Sequence, residues 1–480
     1  AIVVVFSAPV YLRMMAGQVT MIDAMAWAPF LFLSVDWIFK RAAAREPLAG
    51  PVLTGAAAVG MQLLAGHPQT VFITGVSAGI YCVCRFIGTK RRLASTGALV
   101  IVGAWGFALG SIQLLPGIET MREGLRVSSI DALDFSTTFS FPPENLLNLL
   151  APAFFGDLEH LLYLSRWAFW DTAAFIGIAG LALALYGARF GSRRERSYIP
   201  FVVLVLVFLA MGRYSTVYKV FQLIPIFDAL RGVSKFLFPA TMFAGILCGL
   251  GLDRIARDST SNRPRKLALV SIAATAPLLF GLLAIAFTHF GGGTVWREIV
   301  FHQMSAGLFA AFWFNPPEGF FHDSAVQAMA SLGIAVGSLL VFSALLWKIR
   351  DRRRLTAALL VIGSAEMIGF AWMYRVTFDQ AILRDEPTES FYAAHDDDYR
   401  VMQLSDPLRV YRRNHPMSVR RSAVWGYEPV MLQRYGMFMA SACISDPRQM
   451  ADMLNHARWG SDILQIGLNE EWMDLDEYQA

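Results

Sequence analysis

The chain has 480 residues, of which 55% are hydrophobic and 16% charged, against roughly 45–50% apolar and 25% charged residues in soluble domains. Its formal charge of +4 sits in short clusters at the ends of apolar runs, which fits orientation in a membrane and excludes a nucleic-acid groove. Four cysteines, Cys82, Cys84, Cys248 and Cys443, three of them inside apolar segments, indicate neither a disulfide framework nor a zinc site.

The opening AIVVVF carries no Met and no basic n-region. Residues 1–20 therefore read as the end of an interrupted helix and its outer edge, and the chain as lacking its true N-terminus. Ten apolar stretches follow, at about 21–39, 48–67, 68–87, 95–116, 168–189, 198–212, 233–252, 267–289, 326–347 and 355–374, each roughly long enough to cross a bilayer. The expected fold is an all-α polytopic membrane bundle, with residues 21–375 forming the transmembrane domain. Alternate connections are rich in Lys and Arg: Lys40/Arg41/Arg45, Arg85/Lys90/Arg91/Arg92, Arg189/Arg193/Arg194/Arg196, Arg254/Arg257/Arg263/Arg265/Lys266 and Lys348/Arg350/Arg352/Arg353/Arg354. The positive-inside rule places these in the cytoplasm. It places outside the turn Gly66-His67-Pro68, the loop 117–167, the segment 213–232, the loop 290–325 and the tail from about 376. Span 198–212 is short, and 216–227 reads as an interfacial helix. Residues 376–480, charged and with short runs that could be strands, are expected to form a soluble extracytoplasmic α+β domain.

Within the loop 117–167, Pro142 and Pro143 suit a helix start, and Glu144 lies at its positive end. Leu146, Leu147, Leu149 and Leu150 form an apolar face that could lie on the membrane, either binding substrate or closing the bundle. His67 could contact phosphate, shuttle a proton, or, with Gln69, satisfy loose helix-end groups. Four cations break the positive-inside bias: Arg13, Arg122, Arg231 and Lys235. They suit a phosphate arriving from the lipid, bidentate for Arg and point-like for Lys. The alternatives are snorkelling or pairing with Glu119, Glu123 and Asp228. His302, His322 and Asp323 lack metal-ligand spacing, Asp396-Asp397-Asp398 reads as a solvated turn, and no nucleotide-binding or nucleophile motif is present.

The strings GQVTMIDAMAWAPFLFLSVDWIFK, LLAGHPQTVFI, QLLPGIETMREGLR, FPPENLLNLLAPAFFGD, FDALRGVSKFLFPATMFAGILCGLGLDRI and WGYEPVMLQRY occur in this order. Together they resemble the YfhO-like family of bacterial multi-spanning proteins, placed among GT-C type membrane glycosyltransferases. The resemblance implies sugar transfer on the outer face of the cytoplasmic membrane, from a polyprenyl-phosphate-linked donor to a glycopolymer, lipid or protein acceptor of the envelope. It also implies an acidic catalytic residue in a first outer loop that precedes this chain, so no catalytic residue is named and the chain alone is expected to be inactive. Leaving-phosphate contacts would fall to Arg231, Lys235 and His67, with Arg13 and Arg122 behind them. Glu144 and Asp157 could touch sugar hydroxyls or a divalent cation as cofactor, or serve as helix-end groups. Two other classes compete. A lipid-linked-sugar flippase or transporter needs polar residues along a membrane path, for which Glu366, Gln62 and Gln113 are candidates. A non-catalytic envelope assembly protein would act through its outer C-terminal domain.

Overall fold

The computed structural model describes residues 1–124, 136–157, 163–192, 197–223, 227, 231–257, 262–291, 294–305, 319–379, 381, 386–394, 420, 432–443 and 448. Backbone groups in a lipid environment must find partners within the chain, which leaves helices as the natural element. In order these are α1 (Ile2–Val5), α2 (Ala8–Met15), α3 (Val19–Ala44), α4 (Ala49–Leu64), α5 (Pro68–Phe86), α6 (Arg92–Leu109) and α7 (Ser111–Arg122). There follow α8 (Phe169–Thr172), α9 (Ile178–Phe190), α10 (Ile199–Ala210), α11 (Thr216–Phe221), α12 (Leu237–Arg257) and α13 (Arg263–Phe290). The last are α14 (Val295–Ser305), α15 (Phe320–Lys348), α16 (Arg352–Met373), α17 (Glu386–Ala394) and α18 (Gln433–Cys443).

The chain folds as a helical membrane bundle. Among the described residues, seven helices are long and apolar enough to span a bilayer: α3, α5, α6, α12 with the turn before it, α13, α15 and α16. The other three expected spans correspond to α4, α9 and α10, with 16, 13 and 12 residues. At 1.5 Å per residue they measure about 24, 20 and 18 Å, short of the ~30 Å hydrocarbon core.

Two compact units are present, one of residues 1–111 with 136–376 and one of 112–135 with 377–480. In the first, α13 packs along α15, α9 along α12, and α4 against both α3 and α6. Small residues permit the closest approaches. A Cβ on Gly187 of α9 or Gly251 of α12 would run into the backbone of the opposite helix, so these backbones meet as small-residue membrane helices do. At the end of the bundle where Lys40 lies, Arg85 Nη1 sits 2.8 Å from Asp36 Oδ1 and donates to the Tyr198 hydroxyl at 3.0 Å. Lys40 and Tyr81 also reach Asp36, tying α3, α5 and the start of α10 together.

Three expected elements take another form. The apolar run 168–189 is no continuous span: α8 ends at Thr172, residues 173–177 are non-helical, and α9 starts after Gly177, whose φ is +82°. Glu366 of α16 explains the break, because its carboxylate accepts from the amides of Ile178 (2.7 Å) and Ala179 (3.0 Å). A charge acceptor from another helix thus satisfies the exposed amides of α9. The helix expected to continue to residue 116 stops at Leu109, and α7 begins beyond Gly110. The FPPENLLNLL segment forms a 3-10 helix, Pro143–Leu149, whose buried residues are Asn145 and Asn148 while Leu146 is exposed. With three residues per turn, positions 145 and 148 share one face, and that face turns inward.

In the second unit, Gly124 and Leu432 form an antiparallel bridge and Arg434 lies 3.6 Å from Glu123. The expected α+β domain over 376–480 finds no strand among the described residues, which contain α17 and α18. Most of 376–480, including Asp396–Asp398 and most of WGYEPVMLQRY, lies outside the described residues.

Candidate functional site

Residues far apart in sequence converge at the His67 end of the first unit. Gly66, with φ +75°, turns the chain out of α4, and Pro68 opens α5. His67 between them is the N-cap: its Nδ1 accepts from the Thr70 amide at 3.2 Å and lies 2.8 Å from Thr70 Oγ1. The capping role foreseen for His67 is therefore realised. It also fixes the tautomer, because an accepting Nδ1 leaves the proton on Nε2, where it can be donated. Burial, then the charges of Lys235 and Arg13, push the His67 imidazole down to about 4. At neutral pH His67 is an uncharged donor and adds no positive charge.

Arg13 stands in the last turn of α2 and is 2% exposed. Its Nη2 is 3.1 Å from Asp171 Oδ1, and Nη1 donates to Gln18 at 3.2 Å. Arg13 Nε is buried without a hydrogen-bond partner. Lys235 belongs to the 3-10 turn Val233–Phe236, which packs against both α5 and α8. It interacts electrostatically with Asp171, against the like charges of Arg13 and Arg231. Arg231 lies just before that turn, its guanidinium 5.6 Å from the centre of the Phe139 ring. Gln69, in the first turn of α5, donates to the Arg231 carbonyl. Amides of Gly232 and Ser234 bond to the carbonyls of Thr138 (2.9 Å) and Phe139 (3.3 Å), anchoring the turn. Gly232 has φ +82°, and a Cβ there would collide with the Lys235 ammonium. The positive φ is what favours glycine here, since the ammonium ends a flexible side chain.

Arg13, His67, Arg231 and Lys235 bring guanidinium, imidazole and ammonium donors to this end of the bundle, where Asp171 contacts Arg13 and interacts electrostatically with Lys235. Such a set of donors suits an anion that can accept several hydrogen bonds.

Asp171 is the member that sequence reasoning missed, and a buried network adjoins it through Thr172. Tyr163 Oη accepts from Asn145 Nδ2 (2.8 Å) and Asn148 Nδ2 (3.0 Å) and lies 2.8 Å from Thr172 Oγ1. Thr172 in turn donates to the Ala168 carbonyl, and Ser165 donates to Asn145 Oδ1. Burial raises the Tyr163 phenol to about 12, so it stays protonated and can donate to Thr172. The side chain next to Asp171 in sequence is thus held by Tyr163 and the Ala168 carbonyl. Buried polar networks of this kind favour one arrangement.

The other expected site residues lie elsewhere. Glu144 accepts from Arg166 Nε at 2.6 Å, and Asp157 accepts from Gln327 Nε2 at 3.1 Å. Arg122 ends α7, which belongs from Ile112 onward to the second unit. Asp228 is outside the described residues. Gln62 donates to the Ala24 carbonyl and to Thr74. His322 lies 3.1 Å from His289, nitrogen to nitrogen, while His302 is exposed on α14. Among the described residues no three His, Cys, Asp or Glu side chains gather as a metal site.

Comparison with protein-family models, curated proteins and solved structures finds no match to this chain.

Proposed function

We propose that the protein is a membrane glycosyltransferase of the GT-C type, with the Arg13, His67, Arg231 and Lys235 cluster receiving the phosphate of a polyprenyl-phosphate-linked sugar. The observation that carries this reading is the convergence of four donors from positions 13, 67, 231 and 235: Arg13 and Lys235 both interact with Asp171, His67 with Arg13 and Lys235, and Arg231 with Lys235. By the distribution of Lys and Arg, the cluster faces outward from the bacterial cytoplasmic membrane, as does the C-terminal region. The acceptor is a glycopolymer, lipid or protein of the envelope.

In the proposed transfer an acceptor hydroxyl attacks the anomeric carbon and the bond from that carbon to the phosphate oxygen breaks. The electron pair leaves on the lipid phosphate, where Arg231, Lys235 and the Nε2–H of His67 stabilise it. The hydroxyl proton goes to a carboxylate base that is not among the residues assigned here. Asp171 is engaged by Arg13, which makes it a positioning residue. The flippase reading is weakened by Glu366, because the carboxylate that suggested a membrane path caps α9.

The test is transfer of labelled sugar from a polyprenyl-phosphate donor by membranes containing the full-length protein. Product is expected with the wild type, and Arg231→Ala is expected to reduce it while the protein remains in the membrane. Absence of product with every donor, alongside intact folded protein, would move the assignment to transport or envelope assembly.

A further inference from the structure

Away from the cationic cluster, a cavity of about 400 Å³ lies between α13, α14, α15 and the 143–164 region. Its size is that of a ligand pocket. Its wall includes Leu147, Leu278, Ile285, Trp296, Val300 and Leu332, and Thr288 is the lining residue with a polar side chain. The Thr288 hydroxyl already donates to the Ala284 carbonyl at 2.7 Å. Water entering such a space finds no partners, so the cavity excludes it.

Three observations identify the occupant. First, the helices that wall the cavity also expose apolar side chains: α13 exposes Phe280, Leu283 and Phe287 at 74%, 63% and 80%, and the lining residues Val295 and Ile299 of α14 are half exposed. Second, the Trp296 indole is buried with its N–H donated to Ser324 Oγ at 3.0 Å, so its polar atom is satisfied and it offers the cavity an apolar ring. Third, the neighbouring Arg297 is exposed, its guanidinium 5.1 Å from the Phe321 ring centre, which puts a cation beside the apolar space where an anionic headgroup would lie.

We infer that this cavity holds one acyl chain of a bilayer phospholipid, with the lipid phosphate near Arg297. At the roughly 30 Å³ that a water-sized group occupies in a liquid, the volume takes about a dozen methylenes. That is the order of one acyl chain. The site is separate from the proposed phosphate cluster and stands or falls independently of sugar transfer.

The experiment is photolabelling of the full chain in phosphatidylglycerol nanodiscs containing a phospholipid with a diazirine on its acyl chain. Label is expected on Leu278, Ile285, Trp296 or Val300 as well as on the outward Phe280 and Phe287. Ala284→Phe, which fills the space, is expected to lower labelling inside the cavity at least fivefold and leave Phe280 and Phe287 unchanged. The wild-type pattern stands as a test even if the variant misfolds. Label confined to outward residues in the wild type overturns the inference, as does cavity labelling by a polyisoprenoid probe without labelling by the phospholipid.

Discussion

Replacing Asp171 by Asn removes one charge and little volume, so its effect isolates what the carboxylate does for Arg13. The two side chains are 2% and 8% exposed and 3.1 Å apart. After the substitution Arg13 keeps Gln18 as a partner, loses its counter-ion, and still faces Lys235 of like charge. Removing one member of a buried pair costs about 3–5 kcal/mol, whereas an exposed pair would lose about 0–1 kcal/mol. Reversible unfolding of the full chain in mixed micelles, driven by a rising fraction of denaturing detergent, measures the difference. Asp171→Asn and Arg13→Met are each expected to lose about 3 kcal/mol or more. The double variant Arg13→Met/Asp171→Leu should recover part of that loss, because Arg13 is no longer stranded while Lys235 still loses its interaction with Asp171. A loss under ~1 kcal/mol for Asp171→Asn, or strict additivity in the double variant, would refute the buried-pair account.

Four other outcomes are expected. Since the neutral imidazole of His67 is held at about 4 and the unfolded one near 6.5, the unfolded chain binds the proton first on acidification. The contribution of His67 is therefore complete above about pH 6.5 and lost as pH falls towards 4, by at most about 3 kcal/mol; His67→Asn, which keeps an N-cap acceptor, should flatten that part of the pH–stability curve. Glu366→Ala should destabilise the protein by about 1–3 kcal/mol by stranding the Ile178 and Ala179 amides, visible in the same unfolding assay; unchanged stability would reopen a transport role. Gly232→Ala should displace the Lys235 ammonium and add about 1–2 kcal/mol of left-handed backbone cost, lowering lipid-phosphate binding. Tyr163→Phe should cost about 1–3 kcal/mol by removing the acceptor of Asn148 Nδ2, again read by unfolding.

The sequence exposes most of the long helices because lipid demands unbroken apolar runs, and α3, α5, α13, α15 and α16 follow those runs closely. It is weaker where a partner distant in the chain decides the outcome. The run around 168–189 is apolar enough to read as one helix, and its break depends on Glu366, 188 residues from Ile178. For the same reason Glu366 resembles a pathway residue when only its own span is considered. In the 143–149 segment four leucines in 146–150 dominate the reading, while the two asparagines three residues apart carry the buried contacts. The cations of the cluster stand out because each violates the charge bias that the positive-inside rule predicts for its segment. Asp171 has no such signal: an acid at the head of an apolar run looks interfacial until Arg13 is placed beside it.

The central claim is that Arg13, His67, Arg231 and Lys235 form one phosphate site, and direct binding of polyprenyl phosphate to the purified chain in nanodiscs tests it. Loss of one charged hydrogen bond is worth about 1.5–3 kcal/mol, so Lys235→Met and Arg231→Gln should each weaken binding roughly 10- to 150-fold, while Arg122→Gln should leave it unchanged. Equal affinity across wild type, Lys235→Met and Arg231→Gln, with all three folded, would contradict the account.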